Sequence, residues 1–85
     1  MTTGRVMVYE KGVISSISKK CFSCEYYDCD REITGYEKFC GGIVIRVRCS
    51  DEAECRKRGK PVGKDSRCSS WRAYPELMNL IEKVM

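Results

Sequence analysis

Large apolar side chains fall into three short groups along the chain, around Val6–Ile17, Ile43–Val47 and Leu77–Val84, with polar stretches between them. In the first group Val6 and Val8 alternate with Met7 and Tyr9, and Val13 and Ile14 follow the turn-forming Glu10-Lys11-Gly12. That pattern predicts a β-hairpin over Gly4–Ile17, with Gly12 in the left-handed position that closes a three-residue loop. The run Ile43-Val44-Ile45-Arg46-Val47-Arg48 carries the clearest strand signal, with Ile43, Ile45 and Val47 facing inward and Val44, Arg46 and Arg48 outward. After Pro75, a residue suited to the first turn of a helix, Leu77, Leu80, Ile81 and Val84 recur at helical spacing and form one apolar stripe.

The intervening segments are less regular. Ser50–Arg58 predicts a short helix: Ser50 or Asp51 can cap it, acids fill the first turn, bases fill the last, and Gly59 stops it. Cys21–Gly42 shows no period and reads as a loop, as does Lys60–Ser70 with Pro61 and Gly63. The whole predicts one α+β domain over residues 1–85. A small antiparallel sheet comes from the first hairpin and the Ile43–Arg48 strand, the C-terminal helix packs on it, and a cysteine–metal site pins the loops.

Composition explains why a metal enters the picture. A chain of 85 residues has a small core and a narrow stability margin, and its 42% of hydrophobic residues includes seven cysteines. Lys19–Gly42 has only Phe22, Ile33, Phe39 and some tyrosines to bury, yet it holds Cys21, Cys24, Cys29 and Cys40. A segment so poor in apolar surface needs another restraint. Arg5, Glu10 and Lys11 break up Met1–Ile17, so no secretory signal is visible, and no stretch is long enough to span a membrane. The expectation is a cytoplasmic protein, where thiols stay reduced and clustered cysteines bind metal more often than they pair. An odd number of cysteines also sits badly with a pure disulfide framework. A disulfide-stabilised fold without metal is the alternative.

Cys21-x2-Cys24 is the sharpest feature, because two cysteines so spaced can place both sulfurs on one ion within a tight turn. The chain has no histidine, so the remaining ligands of a tetrahedral zinc should be cysteines. The expected set is Cys21, Cys24, Cys68 and one of Cys40, Cys49 or Cys55, holding one Zn2+ ion. Cys40 is a candidate because Gly41-Gly42 would let backbone amides approach its sulfur. An iron–sulfur cluster is the metallic alternative, since Cys21-x2-Cys24-x4-Cys29 gathers three thiolates. The pattern Cys21-x2-Cys24-x-Tyr26-Tyr27, with Cys68-x2-Trp71 later, resembles short cysteine-knuckle, zinc-binding proteins of prokaryotes and their phages. That resemblance implies metal binding through Cys21, Cys24 and Cys68 and implies no particular activity. Cys29 and Cys55 depart from a simple four-cysteine pattern.

Catalysis is not expected. A cysteine nucleophile needs a base, most often histidine, and no glycine-rich phosphate loop or site for a small-molecule substrate is evident. Partner expectations rest on charge. Residues 46–72 carry nine basic side chains against four acidic ones, while residues 21–45 carry five acidic against two basic. Arg46 and Arg48 on one strand face, the run Arg56, Lys57, Arg58 and Lys60, and Trp71 as a stacking aromatic suggest a nucleic-acid-binding or regulatory module. Against that stands an ordinary solvated basic face, with Trp71 packed on the metal site or the terminal helix. The other class is a protein-interaction or inhibitory adaptor, contacting its partner through the acidic Glu25–Glu37 loop or the far side of the helix.

Overall fold

The computed structural model describes residues 2–85. In chain order the elements are β1 (Thr2–Tyr9), 3-10 turns at Ser16–Ser18 and Cys21–Ser23, β2 (Tyr27–Asp28), β3 (Glu32–Phe39), β4 (Gly42–Cys49), β5 (Glu52–Cys55), β6 (Lys60–Gly63) and α1 (Pro75–Val84). They form an α+β fold with two antiparallel three-stranded sheets, β1-β4-β3 and β2-β5-β6, and one C-terminal helix.

The alternating run becomes the central strand. Ile43, Ile45, Val47 and Cys49 of β4 are buried, and β1 pairs along its full length with Val6 opposite Ile45 and Val8 opposite Ile43. Those side chains share the inner face, on which Leu77 and Ile81 of α1 join the same core. The outer face is left to Thr3, Arg5, Met7 and Tyr9 of β1, to Val44, Arg46 and Arg48 of β4, and to Glu32, Glu37 and Phe39 of β3. The helix starts at Pro75, with Glu76 in its first turn and Lys83 in its last.

The first hairpin is cut short. Gly12 takes a positive φ of 75° and the Tyr9 amide donates to Val13 O at 2.9 Å, so the turn forms as its sequence dictates. The return arm then shrinks to a single bridge between Val8 and Ile14, because Ser15 caps the next turn through its hydroxyl and bends the chain away. β4 pairs along the opposite edge of β1, so β1 has the shortened return arm on one side and the eight-residue β4 on the other.

Two readings need correction. Cys21–Gly42 is not loop throughout, because Glu32–Phe39 is strand β3. A register shift between Ile33 and Gly35 breaks the alternation, and β3 is an edge strand with mostly exposed side chains, so it shows little apolar signal. Ser50–Arg58 is not a helix. Its capping residues stand at the right places, but only Ala53 and Cys55 turn inward, two residues apart, and that period belongs to strand β5. β5 folds back on β6 with Gly59 at a φ of 67° in the turn, which turns part of the expected Lys60–Ser70 loop into strand. One expected sheet is thus two.

Among the described residues no helix is long and apolar enough to cross a membrane.

Candidate metal centre and basic surface

The Cys21–Ser23 turn, with the Cys24 amide donating to Cys21 O at 2.9 Å, is held against two distant segments. The Cys21 amide donates to Ser66 O at 2.8 Å and the Phe22 amide to Lys64 O at 3.1 Å, which places the chain just before Cys68 beside the turn. After Cys68 the chain returns past Cys24, which bridges to Ala73, while the Glu25 amide donates to Arg72 O at 2.7 Å. Pairing of Tyr27 with Cys55 brings the β5–β6 turn to the same place. The stretches that carry Cys21 and Cys24, Cys55, and Cys68 are therefore brought together from three separate parts of the chain.

Their sulfurs are met by donors. Around the Cys55 thiol lie the backbone amides of Arg58 and Lys57 and the Arg58 side chain, which favour its ionised form. Cys68 Sγ accepts from the Ser70 amide at 3.4 Å, and Cys21 Sγ accepts from Arg58 Nη2 at 3.3 Å. Cys55-x2-Arg58-Gly59 has the form of a thiolate knuckle, in which backbone amides point at a sulfur, with arginine where a second cysteine would stand. Burial pushes the Cys55 thiol up, but these donors outweigh it and the thiol lies below its ordinary range. Burial dominates at Cys21, whose thiol is pushed up, with Arg58 opposing and Cys24 and Cys55 reinforcing. The Arg58 guanidinium is held charged, first by its bond to Cys55 and then, against its desolvation, by Cys21 and Cys68.

The donor set of four thiols with amides aimed at two of them suits a soft or borderline cation. Arg58 is the cation among them. Among the described residues no group of three or more Cys, Asp or Glu side chains stands at ion-binding spacing.

The other candidate ligands lie elsewhere. Cys40 is exposed in the β3–β4 turn, and Cys49 is buried at the opposite end of β4, roughly 25 Å away at about 3.4 Å per residue. Cys49 closes the inner face of the first sheet rather than joining Cys21 and Cys24. Cys29, half-buried, lies after β2.

Arg31 is a residue that the sequence reading did not single out. Its Nη1 donates to Phe22 O at 2.7 Å and to Cys24 O at 2.5 Å, and its guanidinium stacks 4.1 Å from the Tyr74 ring centroid. It thereby rivets the Cys21–Cys24 turn to the start of α1. Ser23, fully buried, donates to Ser18 O at 2.8 Å and accepts from Trp71 Nε1 at 3.1 Å. An arginine before an edge strand and a serine inside a CxxC carry no pattern of their own.

The predicted basic residues occupy two places. Arg46 and Arg48 sit on the outer face of the first sheet, with Arg46 paired to Glu37 at 2.9 Å and Glu32 directly opposite Arg48. Arg56, Lys57, Arg58 and Lys60 belong to the β5–β6 hairpin. There Arg56 donates to Glu25 O, Lys57 lies 5.9 Å from the Tyr26 ring centroid, and Arg58 serves the sulfurs. Trp71 does not stand free for stacking. Its indole N–H donates to Lys20 O and Ser23 Oγ, both at 3.1 Å, which packs it against the cysteine turn. Tyr9, Tyr36 and Phe39 are the exposed aromatics, and of these Tyr9 and Phe39 flank Gly42 on the outer face with ring centroids 6.4 Å apart.

Comparison with protein families, curated proteins and solved structures gave no match for this chain.

Proposed function

We propose that the protein is a small non-catalytic nucleic-acid-binding module in which Cys21, Cys24, Cys55 and Cys68 hold one structural zinc ion. The observation that carries the metal is the convergence of Cys21, Cys55 and Cys68 on the Arg58 guanidinium, with Cys24 beside Cys21 in the same turn and the Ser70 amide directed at the Cys68 sulfur. Arg58 marks a place where positive charge is favourable. Zinc bound there would replace it and supply folding free energy, with no role in chemistry. Native mass spectrometry with elemental analysis tests the site. One zinc per chain is expected, lost in Cys55→Ser and Cys68→Ser and retained in Cys40→Ser. A metal-free protein, or zinc kept by Cys55→Ser, contradicts it.

The binding surface proposed is the outer face of β1-β4-β3. Arg5 and Arg46 are direct cross-strand partners, an arrangement of like charges that costs stability, and Arg48 lies one row further along. At the other end Tyr9 and Phe39 expose their rings. A row of guanidinium groups beside exposed aromatics suits a single strand, with phosphates on the bases and a nucleobase stacked on a ring. Fluorescence anisotropy with a labelled single-stranded oligonucleotide should give binding that weakens with salt. Arg5→Ala or Arg48→Ala should lower the salt slope by about one each, and Tyr9→Ala should weaken binding with the slope unchanged. Failure to bind tighter than about 100 µM at low salt rejects this surface.

A further inference from the structure

Of the three cysteines outside the proposed ligand set, two share one neighbourhood. Cys49 ends β4 on the buried face. Glu32 pairs with Arg48, so the chain entering β3 passes the end of β4, and Cys29 lies three residues before Glu32. Tyr27 links the two sites: its hydroxyl donates to Ser50 O at 2.8 Å, next to Cys49, and its carbonyl accepts from the Cys29 amide at 3.0 Å. Cys29 packs against the core cluster that contains Cys49. Burial and then Cys29 push the Cys49 thiol up, and both cysteines act on the hydroxyl groups of Tyr27 and Tyr74. The hydroxyls of Thr2 and Tyr74 are buried without a hydrogen-bond partner, and Thr2 is the cross-strand partner of Cys49.

Access differs between the two thiols. Cys49 is fully buried, whereas Cys29 lines a cleft of about 390 Å³ together with Arg31, Arg56, Glu25, Asp30 and Glu76. The two arginines can meet the carboxylates of a small peptide-like thiol, and the three acids can meet its ammonium group.

We propose that Cys29 and Cys49 are a dithiol that closes to a disulfide by exchange with a low-molecular-weight disulfide of the glutathione type. Cys29 Sγ, as thiolate, attacks one sulfur of the reagent; the reagent's S–S bond breaks and one glutathione leaves as thiolate and takes up a proton. Cys49 Sγ then gives up its proton and attacks Cys29 Sγ, and the second glutathione leaves. Two cysteine thiols are oxidised and one disulfide is reduced to two thiols. The new bond ties the end of β4 to the segment that enters β3, and it is separate from the four thiols assigned to metal. With Cys40 alone and exposed, the seven cysteines divide into four, two and one.

The test is to incubate the purified protein with glutathione disulfide, alkylate the remaining thiols, and map peptides by mass spectrometry. The expected product is a Cys29–Cys49 link, with the linked peptides lighter by two hydrogens. Cys49→Ser should accumulate one glutathione adduct at Cys29, and Cys29→Ser, altered at a half-buried position, should give no link and no adduct other than at the exposed Cys40. An unresolved adduct on the wild-type Cys29, a link between any other pair, or both thiols recovered alkylated overturns the proposal. A Cys21–Cys24 link would count against the metal site as well, whereas loss of zinc alone would leave this pair standing.

Discussion

At Arg31 one side chain joins two parts of the molecule: the cysteine turn, through the Phe22 and Cys24 carbonyls, and the start of α1, through the Tyr74 ring. A lysine keeps the charge but loses the planar fork that reaches two carbonyls while stacking on a ring. Arg31→Lys should therefore cost about 2 kcal/mol, read as a fall in the denaturant midpoint at unchanged slope. Buried acids give a second prediction at this scale. Burial raises the Cys49 thiol above its ordinary value and, with Arg31 opposing, raises the Tyr74 hydroxyl to about 12. Between the unfolded and folded values the folded state holds more protons, so stability falls as pH rises. That contribution is complete below about pH 8.5, where an unfolded thiol starts to ionise, and fades above it. A melting series from pH 7 to 11 on Cys29→Ser, which cannot form the Cys29–Cys49 link, should show that decline, and a Cys49→Ala background should make it shallower.

Elements differ in how much of their structure is written locally. β4 and α1 carry uninterrupted apolar periods and bury them, so alternation and helical spacing suffice to find them. Leu77→Ala should cost about 3 kcal/mol, because Leu77 is fully buried between α1 and the first sheet. Gly42 opens β4 between Tyr9 and Phe39, and a Cβ there would meet the Val8 carbonyl and stand 2.8 Å from the Phe39 ring. Backbone cannot step aside as a side chain can, so Gly42→Ala should lower stability by about 2 kcal/mol and separate the Tyr9–Phe39 pair. Chemical denaturation measures the first effect, and tyrosine fluorescence follows the second. β3 and β5 show the opposite case. The Thr34-Gly35 bulge hides one period, and good helix caps without an apolar stripe advertise a helix that tertiary pairing overrides.

For the whole molecule the question is how far stability rests on metal. Val6, Val8, Phe22, Tyr27, Ile43, Ile45, Val47, Leu77 and Ile81 form a continuous core, more than the sequence alone suggests for this length. Removal of the proposed zinc by a chelator should therefore act unevenly. Amide exchange should quicken at Cys21–Cys24 and across β5–β6, where the proposed ligands lie, while the Ile43–Arg48 amides of β4 stay protected. Equal loss of protection in β4 would mean that metal holds the entire fold.

Sequence by itself determined the α+β class, the central strand, the terminal helix, the Gly12 turn and the pairing of Cys21 with Cys24 in one tight turn, because each depends on residues close in the chain. Only the tertiary structure decided that the hairpin's second arm shrinks to one bridge while β4 pairs along the other edge of β1, that there are two sheets, and that Cys55 approaches the first turn. It also packed Trp71 against the cysteine turn, left Tyr9 and Phe39 exposed on the outer face, and packed Cys29 against the core cluster that contains Cys49. Those outcomes depend on which strands pair and in what register, and spacing along the chain does not encode that.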